Sequence, residues 1–463
     1  MLISRSGLLQ IISLVGVFIL TVVLSESDFG TFIIVSGLLG IMGYFSDIGL
    51  SASLIQQKAE PTVKDLRTSF TIQQTLIISL ISIGFFSSTS LAQKYQWGPD
   101  VVHLWWAILI GFFLASLKTI SSILVERKLA FEKLVIVETL ETLIFYAVAV
   151  SSALMGKGIS SYTYAVLARG IVGTTLLFFI VPWPIGIGWS IDSFKSLIKF
   201  GLPYQLNSFI AAIKDNLLNV VLGSPSFLNS SGVGYLGWGQ TWTQKPLRFI
   251  TDNVTRATFP SFALIQDDKE KIARGVNKLL FATSITVFPV IIAGVISIGP
   301  FVHLVPKYEK WQPALWVFYF LSINSLWASV STPMTNILAA VGKIRWVTYL
   351  MIMWTVLTWS MVPFLSKLYG HTGAAMGMAI ISFASIVPMV LVKKMINYKF
   401  SSLIPGLIAS IVMLVIGIQI NKLLSGILGL VVSLGISSSI FAIIIWVTSR
   451  KQLLNLWQSI LSK

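Results

Sequence analysis

The chain contains no cysteine, which excludes disulfides, thiolate metal sites and cysteine nucleophiles. Charge is also scarce. Asp, Glu, Lys and Arg make up 11% of the 463 residues, against about 25% in an ordinary soluble domain. No stretch is polar enough to form a separate soluble domain. The three histidines, His103, His303 and His371, are dispersed without ligand spacing and read as surface residues. No P-loop, HExxH motif or nucleophile elbow occurs, and no outer loop is long enough to carry an active-site domain. The sequence therefore offers no catalytic residue and no cofactor site.

What is abundant is apolar surface. Hydrophobic residues make up 55% of the chain, with a mean hydropathy of +0.85. That composition predicts an all-α polytopic membrane protein, because a helix satisfies its own backbone hydrogen bonds in lipid. The first apolar run, 7–24, is too long for a signal-peptide core and lacks a small-residue cleavage site, so it reads as a span. Further spans are expected at 30–52, 69–92, 101–123, 134–155, 161–182, 201–222, 233–255, 279–301, 312–339, 344–366, 371–392, 402–421 and 425–447. That makes fourteen.

The formal charge of +16 does not indicate nucleic-acid binding, because the cations lie between apolar spans. With the N-terminus inside, 22 of the 33 lysines and arginines fall in inner segments, six in outer loops and five within spans. The positive-inside rule then predicts that both termini are cytoplasmic. A short repeat accompanies this alternation. Leu24-Ser-Glu-Ser-Asp-Phe-Gly30, between the first and second spans, resembles Leu228-Asn-Ser-Ser-Gly-Val-Gly234, between the seventh and eighth. Repeats an even number of spans apart run in the same direction, and transporters of that design bind substrate between their halves.

The ionisable residues within spans are the candidate site, since a charge near the bilayer centre costs at least about 2.5 kcal/mol. In the eighth span Tyr235, Trp238, Trp242, Lys245, Arg248, Asp252 and Arg256 share one helical face. Leu236, Leu247 and Phe249 lie opposite. Such a stripe is expected to face a wet cavity, with rings to stack on sugars and cations to pair with phosphate. Pro246 is expected to kink the helix beside Lys245. Glu138 and Glu141 stand one turn apart in the fifth span, Arg169 lies in the sixth, and Lys214 and Asp215 lie in the seventh. Asp47 falls near the inner end of the second span and Lys118 in the fourth. Structural alternatives stand beside these readings: ion pairing for Arg248–Asp252 and for Lys214, and a helix-end role for Asp47. Glu138 could sit at the inner interface, and Trp238 and Trp242 could belong to an aromatic belt.

The segment 28–58 opens with Asp28-Phe29-Gly30 and continues through Asp47-Ile-Gly-Leu-Ser51 to Gln56. It resembles the opening signature of bacterial polysaccharide-unit flippases of the Wzx type, within the multidrug/oligosaccharidyl-lipid/polysaccharide exporter superfamily. Residues 126–143 and 164–174 are similar to that family's fifth and sixth helices, and 200–223 to its seventh, with Asp215 at the usual acidic position. Many members carry an arginine where this chain has Val22, so cationic charge in the N-terminal half has to come from Lys118 or Arg169.

The resemblance implies two six-helix lobes, 1–183 and 184–396, around a cleft that opens alternately to each side. It also implies an appended pair of helices in 397–463 that helps form a groove for a lipid tail. The implied substrate is an oligosaccharide on undecaprenyl diphosphate, moved across the bacterial cytoplasmic (inner) membrane. Membrane lipid, H+ or Na+ as coupling ion, and a polysaccharide polymerase are the implied partners, and Glu138, Glu141, Asp215, Asp252 and Asp47 the candidate acids. A multidrug or small-solute exporter of the same superfamily is the alternative, and a membrane glycan polymerase or ligase a more distant one.

Overall fold

The computed structural model describes residues 2–57, 59–199, 201, 216–265 and 268–461; the side chains at 2–8, 249, 252–261, 263 and 455–461 lie outside that description. Every regular element among the described residues is a helix. Ten helices there are long and apolar enough to cross a membrane, against the fourteen expected. The first helix contributes only the shorter apolar stretch Leu9–Val23, and Ile344–Met395 counts once although Tyr369 and Gly370 break it with non-helical backbone angles. The eighth expected span lies in a helix rich in polar residues, and most of the seventh lies outside the described residues. The protein is a multi-pass membrane protein.

The chain divides into two compact units, 1–234 and 235–463. The first contains α1 (Leu2–Val23), α2 (Glu26–Asp47), α3 (Leu50–Gln56), α4 (Val63–Phe86), α5 (Ser88–Tyr95), α6 (Pro99–Leu117), α7 (Thr119–Arg127), α8 (Phe131–Leu154), α9 (Ser160–Ile180) and α10 (Leu218–Leu222). The helix α11 (Asn229–Leu264) begins there and ends in the second unit. The second unit continues with α12 (Lys269–Leu304), α13 (Leu315–Ala340), α14 (Ile344–Ser382), α15 (Ile386–Met395), α16 (Ile404–Leu423) and α17 (Gly426–Leu461). The last two helices pack on each other and on α12.

The repeated heptapeptide is a pair of helix starts. Ser25 Oγ accepts from the Asp28 amide at 3.0 Å, and Asn229 Oδ1 accepts from the Gly232 amide at 3.0 Å. Both side chains satisfy donors that the first helical turn leaves without a partner. Asp28 completes a capping box on Ser25. Gly30 and Gly234 then let the two starts cross at backbone distance. A Cβ on Gly30 would overlap the Ser230 carbonyl, and one on Gly234 would overlap the Glu26 carbonyl. At the other end of α2, Gly49 takes a left-handed conformation, and a Cβ there would overlap the Gly201 backbone.

The corner after α2 is fixed by two further charges. Asp47 accepts from the Ser51 amide at 3.2 Å and from the Ser51 hydroxyl at 2.8 Å, so its carboxylate caps the start of α3. Arg127 donates to the carbonyls of Leu54, Gln57 and Ala59, which caps the other end of the same helix. In the second unit Leu247 belongs to a core with Met334, Leu350 and Met389, and Leu236 is fully buried. Pro246 lies within the continuous helix α11.

Candidate functional site

The first unit encloses a cavity of about 650 Å³ among α1, α2, α6, α8 and α9. Rings and aliphatic chains, among them Phe32, Phe112, Phe145 and Tyr146, make most of its wall. The polar part is concentrated in Lys118, Glu141 and Arg169, with Ser13 and Ser36 nearby.

Lys118 reaches the cavity through a break in its span. It is the single turn residue between α6 and α7, and α4 holds both sides of the break. Gln73 Nε2 donates to Thr119 Oγ1 at 3.2 Å, and Gln74 Nε2 donates to Ser116 Oγ at 3.0 Å. A helix packed in lipid has no water to satisfy a broken turn, so such side-chain partners keep the interruption stable.

Glu141 stands at the centre of the charge. Its side chain is 4% exposed; one carboxylate oxygen pairs with Lys118 Nζ and the other lies 3.6 Å from Arg169 Nε. The Lys118 side chain is 22% exposed and that of Arg169 53%, so the guanidinium is the more exposed of the two cations that line the cavity. Arg carries five N–H donors in a planar fork, so one ion pair leaves it able to bind another anion. Lys118, Glu141 and Arg169 together carry one net positive charge.

The aromatic part is ordered as well. Tyr146 and Ser13 share a hydrogen bond of 2.9 Å, and the Tyr146 ring occupies the space that a Cβ on Gly16 would need. Phe32 stacks on Tyr162 with centroids 3.9 Å apart and an interplanar angle of 6°. Offset ring pairs of this kind hold one another in place. The cavity can therefore receive an amphiphile whose anionic group meets Arg169 and whose remainder lies on rings and aliphatic chains.

The sequence-based candidates separate accordingly. Lys118, Glu141 and Arg169 converge, with the carboxylate between the two cations. Glu138 is exposed and acts on Glu126, whose carboxyl is raised above the usual range by burial and by the Glu138 charge. One helical turn is enough to put the two acids of α8 in different surroundings. Asp47 caps α3 outside this cavity. Trp238 is fully buried, stacks on Trp311 at 5.6 Å and 9°, and donates Nε1–H to Tyr308 at 2.9 Å. It is a packing residue of the second unit and offers no open face to a sugar in this structure.

Tyr235 is half-buried against Trp311 and His371, while Trp242 and Lys245 are half-buried and Arg248 is exposed. His371 contacts the Pro313 carbonyl at 3.2 Å, so it is a packing residue as well. Lys214 and Asp215 lie outside the described residues, as does the side chain of Asp252. Among the described residues no group of three His, Cys, Asp or Glu side chains could hold a metal ion.

Sequence reasoning did not single out Ser13, Phe32, Tyr146 or Gly173. Each carries a weak signal. Ser13 is polar within an apolar span, and Gly173 falls one turn after Arg169 on the same face.

Comparison with known proteins bears on the same region. Residues 19–315 match the family described as polysaccharide biosynthesis protein. The chain is 26% identical over 336 residues to the lipopolysaccharide biosynthesis protein WzxC of Escherichia coli (strain K12), covering 72% of this chain and 67% of that protein. It is 23% identical over 421 residues to an uncharacterized membrane protein in the cps region of Klebsiella pneumoniae, covering 88% and 85%. Among solved structures it is similar to the lipid II flippase MurJ in an inward closed conformation, with a TM-score of 0.78, 12% identity, and 98% and 99% of the two chains covered. An inward-facing multidrug resistance transporter of the MATE family aligns with a TM-score of 0.61 at 15% identity, covering 85% of this chain and 94% of that one. The fold is thus shared by a lipid flippase and by drug transporters.

Proposed function

The chain belongs to the polysaccharide biosynthesis protein family, and from that premise we propose that it flips lipid-linked oligosaccharide units across the bacterial cytoplasmic membrane. The substrate is an oligosaccharide on undecaprenyl diphosphate, carried from the inner to the outer leaflet by alternating access, with both termini cytoplasmic. One observation carries the reading: a membrane-embedded cavity of about 650 Å³ that combines a half-exposed arginine with an aromatic and aliphatic wall. Transferring a diphosphate through hydrocarbon without compensation costs tens of kcal/mol by ideal solvation estimates. A cavity that exchanges water for Arg169 and Lys118 lowers that barrier.

The residues take distinct parts in this reading. Arg169 pairs with the diphosphate and Lys118 supports it, while Phe32, Phe145 and Tyr146 flank the part beyond. Lys245, Arg248, Trp242 and Tyr235 are further substrate contacts during the cycle. Glu141 is the acid through which H+ or Na+ coupling would act, with Asp215 and Asp252 as further candidates. A polymerase that consumes the flipped units is the expected partner. The excess of positive charge among the three cavity ions favours an anionic lipid over the cationic drugs of a multidrug exporter.

A strain lacking this protein, complemented with Arg169→Gln or with Arg169→Gln/Lys118→Gln, tests the reading. Lipid-linked oligosaccharide should accumulate unflipped in both, more in the double variant, at normal levels of inserted protein. Wild-type polymer output from the double variant would contradict it.

A further inference from the structure

We propose that Glu141 is a built-in counter-anion that makes the cavity select doubly or multiply charged diphosphate head groups over singly charged phosphate lipids. This inference rests on the proposed flippase reading and assigns Glu141 a specificity role within it.

Three observations support it. The Glu141 carboxylate engages both cavity cations, Lys118 through one oxygen and Arg169 through the other. It also has a seat of its own, because a Cβ on Gly173 of α9 would overlap Oε1 of Glu141. Any side chain at 173 would push the carboxylate away from its place. Thirdly, the cations are not equally buried: the Arg169 side chain is 53% exposed and that of Lys118 22%, while Glu141 between them is 4% exposed. The cavity thus presents an anion site whose cations are already partly satisfied by an anion from the chain itself.

An incoming anion must compete with that carboxylate. Glu141 is tethered, so it competes at an effective concentration of order millimolar or higher. A singly charged phosphodiester replaces one carboxylate with one equivalent charge and leaves Glu141 displaced or repelled, so exchange gains little. A diphosphate brings additional charge and further oxygens, engages both cations together, and offsets the loss of the internal pair through bidentate contact with Arg169. The bulk anionic lipids of a bacterial membrane are mostly singly charged, and a cationic, apolar-walled cavity without Glu141 would fill with them. The carboxylate rejects those competitors, which is specificity achieved by weakening the wrong complexes.

The experiment uses the full-length chain purified in neutral detergent. Binding of farnesyl diphosphate and of dihexanoyl-phosphatidylglycerol is measured through tryptophan fluorescence or calorimetry. The wild type should prefer the diphosphate by at least about tenfold, roughly 1.4 kcal/mol. Glu141→Gln should lower that preference about tenfold, chiefly by tightening the phosphatidylglycerol probe. Gly173→Ala keeps the carboxylate but fills its seat, and should shift the preference in the same direction. Added to Glu141→Ala, which removes the group that needs the seat, Gly173→Ala should change the preference no further.

An unchanged ratio in Glu141→Gln overturns the inference alone, as does a full Gly173→Ala effect in the Glu141→Ala background. Failure of the wild type to bind either probe overturns the flippase reading of the cavity as well. If Glu141→Gln does not fold, the Gly173→Ala ratio decides by itself.

Discussion

The two units use their interiors for different purposes. The first encloses ions: Lys118, Glu141 and Arg169 meet in a cavity, and Gly173 leaves the Glu141 carboxylate its place there. The second encloses rings: Trp238, Trp311, Tyr308 and Phe318 fill one another's space, and the first three are fully buried. Charge placed inside a membrane protein has to remain reachable by water or by a substrate, whereas stacked rings are most stable when nothing reaches them. The contrast is between an interior lined by charge and one filled by packed rings.

Substitutions can break this contrast in order of severity. Gly30→Ala should be the most damaging, since its methyl group would meet the Ser230 carbonyl and the Gly234 amide with no flexible side chain to give way. Little folded protein is expected by fluorescence-detected size exclusion. Gly43→Ala on the same helix meets nothing within 4 Å and should be recovered normally. Trp238→Ala comes next, costing about 3–5 kcal/mol for a large buried ring and lowering the melting temperature. Trp238→Phe keeps the ring but loses the bond to Tyr308, for about 1 kcal/mol. Neither change should alter the preference between diphosphate and phosphodiester ligands; if it did, the second interior would also be part of the binding site.

The smallest effect is expected at the capped first turn of α4, ahead of the span expected at 69–92. Burial opposes ionisation of Asp65, but hydrogen bonds from Ser193 and Thr62 outweigh it and hold the carboxyl below its ordinary value of 3.8. A lowered carboxyl stabilises the fold at pH above its unfolded value, and that contribution is lost as pH falls through the folded value. Melting followed from pH 6 down to about pH 3 should therefore show a slightly shallower loss in Asp65→Asn than in the wild type. An identical slope would mean that the Ser193 contact at 2.6 Å contributes nothing to stability.

Much of this was legible in the sequence, for physical reasons. Apolar runs and loop cations mark the spans because lipid imposes both, while the heptapeptide repeat was visible as a repeat and its capping role was not. Arg169, Lys118 and Glu141 stood out as charges in lipid-length segments. Trp238 did not read correctly, because a ring on a polar stripe has the same spacing whether a cavity or Trp311 faces it. Glu138 and Glu141 differ for a similar reason: one turn of helix cannot say which acid faces inward until α6 and α9 supply Lys118 and Arg169. The fourteen expected spans and the ten helices counted among the described residues differ partly at Gly370, where one counted helix is broken by non-helical backbone between two expected spans.

The absence of cysteine makes the central claim directly accessible. Single cysteines at Ser36 and Phe112 in the cavity, and at Trp238 and Leu247 in the second unit's core, can be introduced without altering the background. Each purified variant would be treated with a water-soluble thiol reagent, with and without lipid-linked oligosaccharide. The two cavity positions should react and be protected by the lipid-linked sugar, while the two core positions stay unreactive throughout. Cavity cysteines that are inert, or that react equally with the substrate present, would contradict the central claim.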